Sequence, residues 1–198
     1  MYNFFLGVDL GQAQDYTALA VVEQKSFRYE PKPVEYHVRH LERLKLGTPY
    51  PAIVEQVQNL MQSPQLLNQA ALVVDATGVG APVVDLFRNI GLAPIAITIT
   101  GGNAVTREHG GYRVPKRDLV TTLQVLFQSG RLKVAAELPE ARLLVEELLN
   151  FKVKINVKTA HDSYEAWREG IHDDLVLAVA LACWYAEKGQ PRIFIGRA

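Results

Sequence analysis

The sequence predicts an α/β fold in which three antiparallel strands are followed by parallel strands, all in one mixed sheet flanked by helices. Three observations support this. Short apolar segments separated by turn residues open the chain, strand and helix patterns then alternate, and an almost wholly apolar helix closes it. With 198 residues and 48% hydrophobic residues, the chain can fill one core but is short for two ordinary domains. We therefore expect residues 1–198 to form a single domain.

The first elements are predicted to be strands. Two apolar runs, residues 4–10 and 17–23, flank the turn-forming sequence GQAQDY and predict a β-hairpin. Residues 34–44 interleave apolar side chains with charged ones and histidines, which is typical of a strand with one solvated face. Together these patterns predict three antiparallel strands.

Helices and strands then alternate. Residues 51–61 carry apolar side chains at helical spacing, with a proline in the first turn and Ser-Pro just beyond the end. The continuous apolar run at 71–75 predicts a strand covered on both faces, and a helix over 81–90 and a strand over 94–100 follow. The strand, helix, strand order predicts a right-handed crossover with parallel pairing.

The second half of the chain contains the remaining predicted elements. Lys152, Lys154 and Lys158 alternate with apolar residues, which indicates one edge of a strand. In chain order, we predict a hairpin reaching out of the core over 102–120, a helix over 116–128, a strand over 132–134, a helix over 139–149, a strand over 152–158 and a buried helix over 173–187.

Composition limits the possible functions. The 21 basic and 21 acidic residues cancel, so nucleic-acid binding would need a local patch rather than a general positive field. The single cysteine, Cys183, cannot form an internal disulfide, which fits a reducing compartment. Asp9 interrupts the apolar start, which also lacks a basic leader. We expect a soluble, intracellular protein without a targeting peptide or membrane span.

Acidic residues lie at the ends of three apolar segments: Asp9 in GVDLG, Asp75 in VVDATGVG, and Asp173 with Asp174 in HDDLVLAVALA. If the fold brings them together, carboxylates about 4 Å apart repel by about 4 kcal/mol at an effective dielectric constant of about 20. Protons or cations must relieve that repulsion. The flanking sequence offers no Cys or His pair at zinc-ligand spacing, so these oxygen ligands favour Mg²⁺ or Mn²⁺.

Each acid also has a structural explanation. Asp9 can cap a turn. The glycines after Asp75 can hold a phosphate at a helix N-terminus, although they lack P-loop spacing. Asp173 or Asp174 can cap the last helix. Because consecutive helical residues diverge by about 100°, one of the pair can cap while the other faces the cluster, or both can bind metal from different sides.

Two groups of basic residues form local patches of the kind that nucleic-acid binding would need. One surrounds the polar hairpin and the following helix, and the other is the lysine stripe near residue 155. Contacts to a phosphate backbone need no base-reading geometry, so either group can serve. The alternative for any one of these cations is that it only keeps the surface soluble. The candidates are Arg107, Arg113, Lys116, Arg117, Lys152, Lys154 and Lys158.

The order of four motifs resembles a known family. GVDLG with DYTALAVVE, VVDATGVGAPVVDLF, YRVPKRDLV and HDDLVLAVALA are similar to the nuclease domain of bacteriophage large terminase subunits, within the ribonuclease H-like fold, over approximately residues 3–188. The resemblance implies two Mg²⁺ or Mn²⁺ ions held by Asp9, Asp75 and Asp173 or Asp174, with Asp9 between them. It implies hydrolysis of DNA phosphodiester bonds that leaves a 5′-phosphate.

The resemblance also implies partners. These are double-stranded DNA, a packaging ATPase domain, the small terminase and the portal, in the cytoplasm of a host cell. Because the chain has no Walker A motif, we expect an excised nuclease domain or a stand-alone relative of one.

Two alternatives stay open, and a third is disfavoured by chain length. A Holliday-junction resolvase uses the same fold and acids, and a nuclease-like domain can bind DNA or the portal without cutting. An ATP-binding module of the actin and sugar-kinase type also opens with a GVDLG-like strand, but it needs two such domains.

Overall fold

The computed structural model describes residues 2–11, 15–27, 32–78, 80–108, 110–157 and 173–189, with residues 150–157 described by their backbone. A short π-helical turn at Tyr185–Gly189 follows the last helix. In chain order the elements are β1 (Phe4–Asp9), β2 (Ala18–Lys25), β3 (Glu35–Arg43), α1 (Tyr50–Met61), β4 (Ala70–Asp75), α2 (Gly80–Asn89), β5 (Ile95–Thr100), β6 (Thr106–Glu108), β7 (Gly111–Pro115), α3 (Lys116–Gln128), β8 (Leu132–Val134), α4 (Ala141–Val157) and α5 (Asp174–Trp184).

The described strands form one mixed sheet in the order β6-β7-β5-β4-β1-β2-β3-β8. β1, β2 and β3 are antiparallel neighbours, while β4 pairs parallel with β1, and β5 and β7 continue the parallel part. The predicted mixed α/β sheet with flanking helices, of ribonuclease H-like type, is confirmed. Because β1, β4, β5 and β7 run in one direction, they all end at one side of the sheet, which we call the carboxyl edge.

Helices cover both faces of the sheet, as the unbroken apolar runs of β1 and β4 require. Successive side chains of β1 point to opposite faces, so Phe5 joins one core cluster while Leu6 and Val8 join the other. The first cluster lies against α3, α4 and α5, and the second lies against α1 and α2.

The last helix packs directly on β1. Every residue of α5 is buried, and a Cβ at Gly7 would lie 1.9 Å from the carbonyl oxygen of Ala178. Only glycine therefore permits this approach. The Tyr185 ring lies beside that of Phe5, near the start of β1, so α5 runs opposite to β1. The N-terminus of α5 consequently reaches the carboxyl edge.

Two sequence predictions need correction. The hairpin over 102–120 does not reach out of the core as a whole, because β7 pairs with β5 and only β6 forms the exposed edge strand. The strand predicted over 152–158 is wrong, because α4 continues to Val157. No glycine or proline interrupts residues 140–157, so each further helical residue gains a backbone hydrogen bond without needing a partner strand.

In the described part of the chain, no helix combines the length and apolar character that crossing a membrane requires.

We expect Gly7→Ala to lower the free energy of unfolding by about 2 kcal/mol or more, because its methyl group would overlap the α5 backbone. Urea unfolding followed by circular dichroism measures this change. Gly102→Ala is the matched control: its Cβ would meet nothing nearer than the Thr100 hydroxyl at 3.6 Å, and we expect no loss. Equal stability of the two variants would show that α5 does not depend on the Gly7 contact.

Candidate active site

Four carboxylates meet at the carboxyl edge. Asp9 ends β1 and Asp75 ends the neighbouring strand β4. Asp173 and Asp174 lie at the N-terminus of α5, which packs across these strands. Asp9 and Asp174 are buried, with 8% and 6% of their surface exposed. The structure therefore brings together acids that are separated by up to 165 positions in the chain (174 minus 9).

The carboxylates lie close enough for their charges to act on one another. The pKa of Asp9 is raised well above its ordinary value, first by burial and then by repulsion from Asp75, Asp174 and Asp173. Lys116 partly opposes the rise. An ionised Asp9 is therefore costly in the protein alone, and a bound cation would relieve that cost.

A turn holds Asp75 in place. The Thr77 N–H donates a 2.8 Å hydrogen bond to Oδ1 of Asp75, and the Thr77 hydroxyl accepts a 2.9 Å hydrogen bond from the N–H of Ile99. A Cβ at Gly80 would lie 2.1 Å from the Asp75 carbonyl oxygen, so α2 can start this close to β4 only at a glycine. The glycine-containing segment after Asp75 thus serves to position its carboxylate.

The N-terminus of α5 is capped by a residue from another helix. Asp173 occupies the N-cap position but its side chain makes no capping hydrogen bond. Instead, Oε2 of Glu147 in α4 accepts the N–H groups of Leu175 and Val176 at 3.1 and 3.2 Å. The capping explanation for Asp173 is therefore wrong, because Glu147 already fulfils that function.

Lys116 lies inside the acidic cluster. This residue begins α3, directly after β7 reaches the carboxyl edge. Its Nζ is 3.7 Å from Oδ2 of Asp173. Burial lowers the pKa of Lys116, while Asp173, Asp9 and Asp75 act in the opposite direction. Lys116 is one of the residues predicted to hold DNA, and the structure adds that it is a counter-charge to the carboxylates.

Arg43 and Glu147 are site residues that the sequence analysis missed. Nη2 of Arg43, at the end of β3, lies 2.5 Å from Oε1 of Glu147 and 3.1 Å from Oδ2 of Asp174. Burial, with repulsion from Asp174, raises the pKa of Glu147 to about 7. One signal was available: Glu147 follows the buried Leu144 by three residues, so it occupies the apolar stripe of α4.

The other basic candidates divide into two groups. Arg107, Arg113 and Arg117 are exposed on the β6–β7 hairpin and at the start of α3. Lys152 and Lys154 belong to α4 rather than to a strand edge, so the predicted stripe is wrong as an alternating edge. Lys158 lies outside the described residues. In the hairpin group, Arg107 lies over the Tyr112 ring at 5.9 Å, Arg113 pairs with Glu108 at 3.7 Å and Arg117 donates to the Asn103 carbonyl at 2.7 Å.

The donor set fits a hard divalent cation, because all four ligand candidates present carboxylate oxygens. Within the described ranges, however, no three Asp, Glu, His or Cys side chains are placed to hold a metal ion. Asp173 faces Lys116 and Asp174 faces Arg43, so a divalent ion would compete with these cations for the carboxylate oxygens.

Comparison with known proteins identifies the family. The sequence matches the family described as the terminase RNaseH-like domain over residues 6–185. The chain belongs to this family. Among proteins with curated sequences, none gives a significant match.

Two solved structures share the fold of this terminase RNaseH-like domain. The large terminase nuclease of thermophilic phage G20c superposes with a TM-score of 0.60 at 19% identity, covering 94% of this chain and 82% of that one. The terminase nuclease domain of human cytomegalovirus, soaked with Mn, gives 0.53 at 17% identity, covering 93% and 84%.

We expect Asp9→Asn to raise the Tm of this domain in EDTA at neutral pH. A folded-state pKa above the unfolded one means that ionising Asp9 destabilises the fold, and asparagine removes that charge. The effect should be largest above the raised pKa and should vanish as the pH falls below the ordinary value of 3.8. Thermal unfolding across this pH range tests it. Asp85→Asn, at an exposed Asp paired with Arg88, should give no rise, and a wild-type Tm for Asp9→Asn at neutral pH would contradict the prediction.

Proposed function

We propose that this terminase RNaseH-like domain is a divalent-metal-dependent endonuclease that hydrolyses phosphodiester bonds of double-stranded DNA at the start and end of viral genome packaging. The observation that carries the proposal is the burial of Asp9 among three further carboxylates at the carboxyl edge. Structures with the same fold support it, since one is a phage large terminase nuclease and another is a viral terminase nuclease domain soaked with Mn.

The proposed metal ligands are Asp9, Asp75, Asp173 and Asp174, with two Mg²⁺ or Mn²⁺ ions as cofactors. When bound, the ions would supply an activated water as nucleophile and stabilise the charge on the leaving 3′-oxygen. Asp9 would be the ligand shared most widely within the site, because its charge interacts with those of all three other carboxylates. The turn at Thr77 keeps the Asp75 carboxylate at the end of β4.

Lys116 has a proposed role toward the substrate. It is paired with Asp173 at the carboxyl edge in the protein alone. If Asp173 held a metal ion, the ammonium group of Lys116 would be available to a phosphate oxygen of the substrate. A partly buried cation there interacts more strongly with a phosphate oxygen than an exposed one does.

The remaining contact to DNA is proposed for the exposed arginines of the hairpin and α3. Arg113 on β7 and Arg117 on α3 lie within three positions of Lys116, and Arg107 is on β6, which pairs with β7. We propose that a duplex with a phosphate at the acids would contact these arginines. Contacts of this type hold the backbone without reading sequence.

We further propose that the domain acts with a packaging ATPase domain, the small terminase and the portal in the host cytoplasm.

We expect wild-type protein with Mg²⁺ or Mn²⁺ to nick supercoiled plasmid with little sequence preference. Asp9→Asn and Asp75→Asn should each reduce the rate by at least about 100-fold, because each removes a charged metal ligand. Gel analysis of plasmid forms with time, with and without EDTA, measures the rate. Asp85→Asn changes an exposed carboxylate of α2 in the same way and should cut at the wild-type rate.

Other outcomes would identify the alternatives. Strong preference for a four-way junction over linear duplex would favour a resolvase-like nuclease. DNA binding without metal-dependent cutting would favour a non-catalytic binding domain.

The double variant Arg107→Ala/Arg113→Ala should bind duplex DNA more weakly in the absence of divalent metal. Each lost phosphate contact should reduce the slope of log K against log salt by about 0.9. Fluorescence anisotropy over a salt series gives both quantities. Lys133→Ala is the matched control, because Lys133 is an exposed cation on β8, the opposite edge strand. A salt slope unchanged from wild type in the double variant would rule out this surface.

A further inference from the structure

We propose that Arg43 and Glu147 are positioning residues that orient Asp174 and the N-terminus of α5 for metal binding. This inference rests on the proposed nuclease function. Neither residue is a proposed metal ligand. Both would act through Asp174, which is one.

Glu147 ties α4 to the start of α5. Its Oε2 accepts the two backbone N–H groups of Leu175 and Val176, and its Oε1 accepts a hydrogen bond from Arg43. Only 4% of the Glu147 side chain is exposed. Three donors thus hold the buried Glu147 carboxylate at the end of the helix. Because Asp174 directly precedes Leu175, these hydrogen bonds also set the position of the Asp174 backbone.

Arg43 links this carboxylate to Asp174. The same Nη2 lies near Glu147 and near Oδ2 of Asp174, and the guanidinium group stacks over the Tyr16 ring at 4.6 Å from its centroid. The Arg43 side chain is 13% exposed. The end of β3 and the N-terminus of α5 therefore belong to one charged network with α4, and that network contacts one oxygen of Asp174.

The charges of the network explain why two residues are needed. An arginine alone beside Asp174 would neutralise that carboxylate and weaken its attraction for a cation. The carboxyl group of Glu147 accepts a hydrogen bond from the same guanidinium group and offsets part of that charge. Asp174 can then be oriented by Arg43 while its own negative charge still acts on the metal. Partners of this kind typically change metal affinity by about 10- to 100-fold when they are removed.

The test measures Mn²⁺ binding directly, by titration with detection of free Mn²⁺ by electron paramagnetic resonance. We expect Arg43→Met and Glu147→Gln each to raise the Kd for Mn²⁺ by about 10-fold or more. At saturating Mn²⁺, plasmid nicking should show a lower kcat with an unchanged KM for DNA, because neither residue lies on the proposed DNA surface.

Arg131→Met is the matched control. Arg131 also pairs with a glutamate, Glu187 at the other end of α5, and lies over a tyrosine ring, that of Tyr36, at 5.5 Å. Its loss should lower the Tm comparably, yet leave the Kd for Mn²⁺ within about twofold of wild type. A merely structural role of Arg43 would make the two arginine variants alike in both measurements.

The outcomes separate the inference from the proposed function. If the wild type neither binds Mn²⁺ nor nicks DNA, the proposed nuclease function fails. If the wild type does both, and folded Arg43→Met and Glu147→Gln proteins retain its Kd, the positioning role alone is overturned. If Arg43→Met does not fold, Arg43→Lys is measured instead. An increased Kd for Mn²⁺ then supports the positioning role, and an unchanged Kd overturns it.

Discussion

The packing of α5 against β1 at Gly7 is the constraint on which the rest of the structure depends. The helix backbone approaches the strand so closely that any side chain at this position would overlap Ala178. This contact sets the direction of α5 and delivers its N-terminus to the edge where β1 and β4 end. The acids of two strands and one helix meet because an apolar helix is buried there, so the apolar core positions the polar site.

Bringing these acids together has an electrostatic cost, which the protein partly offsets with its own cations. Lys116 faces Asp173, and Arg43 faces both Asp174 and Glu147. Burial and three neighbouring carboxylates act against the ionisation of Asp9. The site is thus a set of ion pairs arranged around Asp9, and binding of divalent ions is proposed to exchange these pairs for metal ligation.

Most elements were predictable because their signals are local. Apolar runs bounded by glycine, proline or polar turns gave strands and helices close to those of the structure, including the bounds of α3 and β8. The wrong predictions concern which strands pair and how far a helix continues. An alternating pattern near Lys152 suits a strand, but without a helix breaker α4 continues. The polar hairpin contains β7, which joins the main sheet by pairing with β5.

The sequence by itself determined that acids end three apolar segments and that the last helix must be buried, because both follow from residue type and spacing along the chain. Only the tertiary structure decided the partners of those acids. Glu147 reaches α5 across 28 positions and Arg43 reaches Glu147 across 104. Such contacts have no local periodicity, because they depend on how helices and strands pack after each has formed. The neighbours that hold Asp173 and Asp174 were therefore visible only once α3, α4 and β3 were assembled around α5.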